Sequence, residues 1–312
     1  MVLFYVYEIC TAQAKFLCGK CPPLARDEEI VYSPINTRKL GVLKVNCNPQ
    51  GPAHYFKKEW VDKAEEKELI YLHFTMDDNL SLAERIKQRY RSMYTGVFFK
   101  RYILGMWVAA EGVIYDLFAN DKKRYIIDTP PKIRYAVIGV DFGGTGSAHS
   151  FTLTGFTYDW NVVVLDEFYH NNMESGRLSP EELNNAFVDF CRRAKMQYKV
   201  FEAYCDSAEQ TLIEGFTVAI ARARVGIEVR NAIKGPINDR IAFFNSIMAQ
   251  DRFKVTSKCH ATISALENAI FSGKDPTKDE RLDDGTVNVD SLDSMEYSVE
   301  SVMDDILYLK GF

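Results

Sequence analysis

The sequence predicts an α/β fold: a mixed sheet flanked by helices in the second part of the chain, preceded by a partial α/β segment. Three observations predict it. RYAVIGVDF, HSFTLTGF and NVVVLDEFY are strand-like runs joined by short Gly- and Asp-containing turns, the mark of an antiparallel meander. Helical and strand-like segments then alternate, which builds a layered sheet. DKKRYIIDTPPKIR (121–134), with its consecutive charges and Pro130-Pro131, divides the chain into regions 1–127 and 128–312.

At 312 residues the chain has room for two domains. Its 47% hydrophobic and 26% charged composition is that of an ordinary globular protein. No apolar run has the length of a membrane span, and MVLFYVYEICTAQ lacks the basic start and cleavage site of a signal peptide. Seven scattered cysteines fit reduced thiols better than a disulfide framework. A net charge of −5 argues against a generally nucleic-acid-coating protein while leaving room for a local basic groove.

In the first region GVLKVNCNP (41–49) is a buried strand stopped by Asn48-Pro49, and ELIYLHFTM (68–76) is another. SLAERIKQRYRSMY (81–94) has helical period, with Ser81 as N-cap and Glu84 completing a capping box. In the second region SPEELNNAFVDFCRRAKM (179–196) is a helix with Ser179 as N-cap, Pro180 first and Glu182 three residues on. KVFEAYCD (199–206) is a fourth strand, AEQTLIEGF a short helix and GIEVRNA a fifth strand. PINDRIAFFNSIMAQ and SKCHATISALENAIF are helices, GKDPTKDERLDDGTVN is a polar acidic loop, and SLDSMEYSVESVMDDI (291–306) is one terminal helix. A three-strand meander, alternating helix and strand, and a closing helix are the ribonuclease H-like order.

Three acids fall where that order brings chain ends together. Asp141 closes the first strand, Asp206 the fourth, and Asp293 lies in the first turn of the last helix. Clustered carboxylates can hold two Mg²⁺ or Mn²⁺ ions about 3.5–4 Å apart for phosphodiester cleavage. DFGGT (141–145) also fits the first phosphate loop of sugar kinases and actin-like ATPases. Such a site needs a second Asp-Xaa-Gly loop and a Gly-Gly motif, yet Asp206 precedes Ser207-Ala208-Glu209 and no Gly-Gly follows residue 160. The phosphate-loop reading therefore loses to the carboxylate cluster.

GVDFGGTGSAHSF, AYCDSAEQ and VDSLDSMEYSVE resemble, in order, the three nuclease motifs of phage terminase large subunits, the DNA-packaging motor proteins. The family's third motif commonly reads Asp-His-Xaa-Xaa-Asp-Ala-Xaa-Arg-Tyr; here Asp290 takes the His slot, Asp293 the second Asp, and Glu296-Tyr297 replaces Arg-Tyr. The resemblance implies catalytic, metal-holding roles for Asp141, Asp206 and Asp293, with Asp290 as a further ligand, and Mg²⁺ or Mn²⁺ as cofactor. Upstream, VNCNPQGPAHYFKKEWVD, FTMDDNLSL and MYTGVFFKRYILGMWVAAEGVIYDLF resemble the coupling motif and later segments of the terminase ATPase domain. Asn46 and Asn48 stand at the coupling motif as vestigial residues. No GxxxxGK[ST] P-loop occurs, so the resemblance implies a partial P-loop ATPase-type segment without independent ATP hydrolysis, as a truncated gene would leave. ATP is expected only in an intact motor. The expected role is metal-dependent endonucleolytic cutting of double-stranded DNA concatemers in the bacterial host cytoplasm. A small terminase subunit and a portal protein are the implied partners, and a membrane is not. The rivals are an inert remnant that binds DNA or packaging partners, and a junction resolvase or recombinase nuclease, against which the upstream motifs argue.

Other signals are weaker. Arg222, Arg224, Arg230, Lys234 and Arg240 form a basic stretch for phosphate contact, with Lys234, Arg230 and Arg240 the candidates. Cys18 and Cys21 have zinc-knuckle spacing without a second pair. Glu167 is a solvated strand end or an additional ligand, His149 and His260 are surface or packing residues, and the acidic loop at 275–290 is a solvated insertion.

Overall fold

Alternation along the meander decides the architecture seen in the computed structural model. It describes residues 47–52, 54–108, 110–144, 147–272, 279–284 and 287–308, together with the backbone of three strands before residue 47. The chain divides into two compact units, Met1–Glu111 with Ser272–Asp279, and Gly112–Phe271 with Glu280–Phe312. The Pro-Pro segment read as a boundary lies within the second unit, because residues 126–127 add a strand to that unit's sheet.

In the first unit, β1 (Tyr5–Thr11), β2 (Glu29–Pro34), β3 (Leu40–Asn46) and β4 (Leu69–Leu72) form an antiparallel sheet in the order β2-β3-β1-β4. Cys47 and Phe56 are buried beside Trp60, Leu69, Tyr71 and Trp107. The helix expected over 81–94 is α1 (Glu84–Met93), but Ala83 precedes it without a side-chain cap. A capping box does form at Thr75 and Asp78, but at the head of a separate 3-10 turn, Met76–Asp78.

The second unit carries a seven-stranded sheet. Two short parallel strands, β5 (Ile126–Ile127) and β11 (Phe253–Thr256), form one side of it. β6 (Ile133–Asp141), β7 (Ala148–Thr157) and β8 (Val162–Asn171) are the expected antiparallel meander, and β11 joins it along β8. β9 (Val200–Cys205) runs parallel to β6, and β10 (Glu228–Asn231) parallel to β9. The full order is β10-β9-β6-β7-β8-β11-β5.

Residues of one strand alternate between faces. Ala136, Ile138, Val140 and Phe142 of the β6 run join Phe151 and Leu153 of β7 on one face. There they pack against α2 (Pro180–Gln197) and α3 (Gln210–Arg222), where Phe187 stacks on Phe216 at 3.9 Å between ring centres. The predicted cap of α2 is present: the Glu182 N–H donates to Ser179 Oγ at 3.2 Å, and the Ser179 N–H to Glu182 Oε2 at 2.8 Å. The odd-numbered β6 residues face the other side, toward α6 (Asp290–Tyr297). α4 (Ile237–Ala249) and α5 (His260–Asn268) belong to the same unit. The terminal segment is not one helix: α6 ends at Tyr297, and a 3-10 turn, Glu300–Val302, leads to a short helix, Met303–Tyr308.

Candidate metal and phosphate site

Gly139 positions the site. A Cβ there would lie 1.8 Å from the Ser294 carbonyl oxygen and 2.7 Å from the Ser298 nitrogen, so only glycine lets α6 rest on the β6 backbone. Hydroxyls fasten the contact: Ser294 Oγ lies 2.8 Å from Ser150 Oγ and 2.7 Å from Thr152 Oγ1, all buried. Ser298 Oγ meets Thr154 Oγ1 at 2.6 Å. Two residues beyond Gly139 on the same face, Asp141 therefore emerges beside the first turn of α6.

β9 delivers the second acid. The Asp206 N–H donates to the Val140 carbonyl at 3.0 Å, setting Asp206 alongside Asp141 at the strand ends. The turn after Asp141 is tied down by Gly143, whose N–H donates to His149 Nδ1 at 3.1 Å, and by Gly144, whose N–H donates to Ser147 Oγ at 2.8 Å. A Cβ on Gly143 would meet the Ala148 backbone at 2.4 Å. These glycines thus serve a tight turn. His149 is a buried packing residue, its pKa lowered by desolvation and by His170.

The four acids share one electrostatic neighbourhood. Asp141 is 8% exposed. Burial first, then the charges of Asp293, Asp290 and Asp206, push its carboxyl well above the usual carboxylate range, with Lys234 pulling the other way. Among the described residues no donor reaches its carboxylate. Asp290 Oδ2 accepts the Ala148 N–H at 3.0 Å, tying the start of α6 to the start of β7. Burial raises its pKa and that hydrogen bond opposes the rise.

The remaining two acids are held by cations. Lys234 Nζ lies 2.7 Å from Asp206 Oδ1, and Arg281 Nη2 lies 2.6 Å from Asp293 Oδ1. Among the described residues no three His, Cys, Asp or Glu side chains converge on a common point. The donor set nonetheless fits a hard divalent cation: all oxygens, around a buried Asp141 whose nearest charges are mostly its own sign.

Behind Asp293 lies a buried ionic cluster absent from the sequence expectations. Glu296 is fully buried; its Oε1 accepts from Arg281 Nη1 at 2.8 Å and the Tyr115 hydroxyl at 3.1 Å, while Arg240 Nε lies 3.4 Å from Oε2. Burial pushes the Glu296 carboxyl up, and Arg281 and Arg240 pull it down. Arg281 comes from the supposedly solvated acidic loop, yet it is 7% exposed. Unpaired, a guanidinium so buried would be costly, so the two acids account for its place.

Arg240, expected on DNA, is also buried; it lies 3.6 Å from Glu300 and over the Tyr297 ring at 5.3 Å. The helical period of α4 turns it toward these acids and away from solvent. Arg230 is exposed on β10 and pairs with Glu228 at 2.7 Å and Glu202 at 3.2 Å. Glu167 is neither a ligand nor a solvated end: it caps α5, accepting the Ala261 and Thr262 N–H groups at 2.7 and 2.9 Å. Asn46 ends β3 and Asn48 follows it, both in the first unit, while Cys18 and Cys21 lie outside the described residues. Arg281, Gly139 and Glu300 escaped the sequence reading. Only Gly139 left a signal, a glycine within a buried apolar run.

The sheet order, meander and closing helix define a ribonuclease H-like α/β fold. No protein-family profile matches the sequence, and no curated protein does. Among solved structures the chain is similar to the large terminase of a thermophilic bacteriophage, at 30% identity over 82% of this chain and 62% of that one, with a TM-score of 0.70. A second crystal form of that terminase gives 30%, 82%, 61% and 0.71, and its complex with ADP gives 29%, 84%, 61% and 0.70. The chain is thus a relative of phage large terminases, spanning about three-fifths of the length of those it matches.

Proposed function

We propose that the second unit is a metal-dependent nuclease that cuts double-stranded DNA during genome packaging. One observation carries this reading: Asp141 at the end of β6, Asp206 just after the neighbouring β9, and Asp290 and Asp293 in the first turn of α6 are near enough for the last three to raise the pKa of the first by their charge. Asp141, Asp206 and Asp293 would hold Mg²⁺ or Mn²⁺, with Asp290 as a further ligand steadied by the Ala148 N–H. Such ions, as a pair, supply Lewis acidity and an acidified water for in-line attack on a phosphodiester. Arg281 and Glu296 fix the carboxylate of Asp293. Lys234, with a side chain 37% exposed, and Arg230, 44% exposed, would exchange their carboxylate partners for DNA phosphates.

In a complete motor, a P-loop region would supply ATP hydrolysis, a small terminase subunit and a portal would be the partners, and the site of action would be the host cytoplasm. A second reading, a chain that binds DNA or packaging partners without cutting, draws support from the cation-paired state of Asp206 and Asp293. Nicking of supercoiled plasmid in Mn²⁺ separates the two. The unmodified chain should cut, and Asp141→Ala and Asp206→Ala should each lose more than about a hundredfold in rate, the upper range for disturbing a metal site's supporting shell. Undiminished cutting by both variants would refute the ligand assignment, and no cutting by the unmodified chain would leave the binding reading.

A further inference from the structure

Lys234 is held in place with unusual care for a loop lysine. Its backbone is left-handed, at φ 54°, a region that side-chain-bearing residues occupy only when their surroundings impose it. The surroundings do so through Glu300. One oxygen of that carboxylate accepts the Lys234 N–H at 3.0 Å and the other accepts the Gly235 N–H at 3.0 Å. The Glu300 side chain is 4% exposed and lies 3.6 Å from Arg240 Nε, so the clamp is itself anchored. The product of this arrangement is an ammonium 2.7 Å from Asp206 Oδ1.

The two tethered cations of the site differ in freedom. The Arg281 side chain is 3% exposed and locked to Glu296 as well as Asp293, whereas that of Lys234 is 37% exposed and has only Asp206 as its ionic partner among the described residues. Arg281 cannot leave without stranding a buried charge; Lys234 can swing into water while its backbone stays clamped. Resting on the metal-site reading above, we infer that Lys234 is a displaceable internal counter-ion. It neutralises Asp206 in the metal-free chain and yields that carboxylate to an incoming divalent cation. Glu300 is its positioning residue. Metal affinity is then set by competition with the chain's own ammonium, and the released lysine remains beside the acids, within reach of a phosphate.

Calorimetric titration of the full chain with Mn²⁺ tests this, with thermal melting to verify that each variant is folded. Lys234→Met should bind Mn²⁺ about fivefold more tightly, the worth of a half-exposed ion pair. Lys234→Arg, which keeps the charge, should bind as the unmodified chain does. Glu300→Gln should tighten binding by a smaller factor, because the ammonium is then aimed less well. Asp141→Asn should abolish binding. Equal or weaker binding by Lys234→Met, with binding still lost in Asp141→Asn, overturns the counter-ion role and leaves the metal site standing. Absence of Mn²⁺ binding in both the unmodified chain and Lys234→Met overturns the metal site and this inference together.

Discussion

The two faces of the seven-stranded sheet are fastened by opposite means. Against α2 and α3 the contact is aromatic and deep: Phe187 stacks on Phe216, and Phe151 meets both edge-on at 5.4 and 5.8 Å. Against α6 the contact is a glycine, three serines and two threonines, with backbone almost touching backbone. Large rings stabilise by burying apolar area. Hydroxyl pairs and a missing Cβ contribute less area but fix one position. The difference teaches where precision is spent: the acids emerge on the side where helix and strand are registered most closely.

Phe187→Ala should show the largest loss of stability, about 3–5 kcal/mol, as a buried ring leaves a cavity. Denaturant unfolding measures it, and Mn²⁺ affinity of the folded fraction should change little, because the ring lies on the face away from Asp141. A collapse of Mn²⁺ affinity at unchanged folded population would show that the two faces are not independent.

Gly139→Ala attacks the other face. One methyl placed 1.8 Å from a carbonyl must push α6 away, at a cost of about 1–3 kcal/mol. The smaller stability loss should come with the larger functional one: Mn²⁺ binding and plasmid nicking lost from a chain that still folds. Retained binding would mean that α6 tolerates displacement and that close registry is not what places Asp293.

Glu182→Gln should have the smallest effect and sharpens the comparison from the helix end. The hydrogen bonds from Ser179 hold the Glu182 carboxyl below its ordinary value of 4.5. A carboxylate depressed in the folded state adds stability above its unfolded pKa, and that stability is lost as pH falls through the folded value. The gap in melting temperature between the unmodified chain and Glu182→Gln should therefore be small near neutrality and close as pH drops from about 5 to about 3. A large gap would mean that α2 relies on its cap more than on its aromatic face.

What could be read beforehand followed the range of the forces involved. The capping box of α2 was legible because Ser179 and Glu182 are three residues apart and the helix begins between them. The matching signal at Ser81 and Glu84 misled: the helix starts only at Glu84, whose carboxylate accepts from Gln88 and Arg91 farther along instead of reaching back to Ser81. β11 and β5, four and two residues long, were missed because their support comes from β8 and from each other, far away in sequence. The terminal helix read as continuous by period breaks after Tyr297, where Ser298 is drawn to Thr154 and Met295.

The site divides in the same way. The strand-ending positions of Asp141 and Asp206 follow from period and order, which are properties of the sequence alone, whereas the purpose of Gly139 and the pairing of β9 with β6 belong to the tertiary structure. Which charge meets which carboxylate was decided only by the fold. Lys234 reaches Asp206 across 28 residues and is clamped by Glu300 across 66, while Arg281 leaves an acidic loop to be buried between Asp293 and Glu296. Ion pairing depends on distance through space and on burial, and no spacing along the chain encodes either.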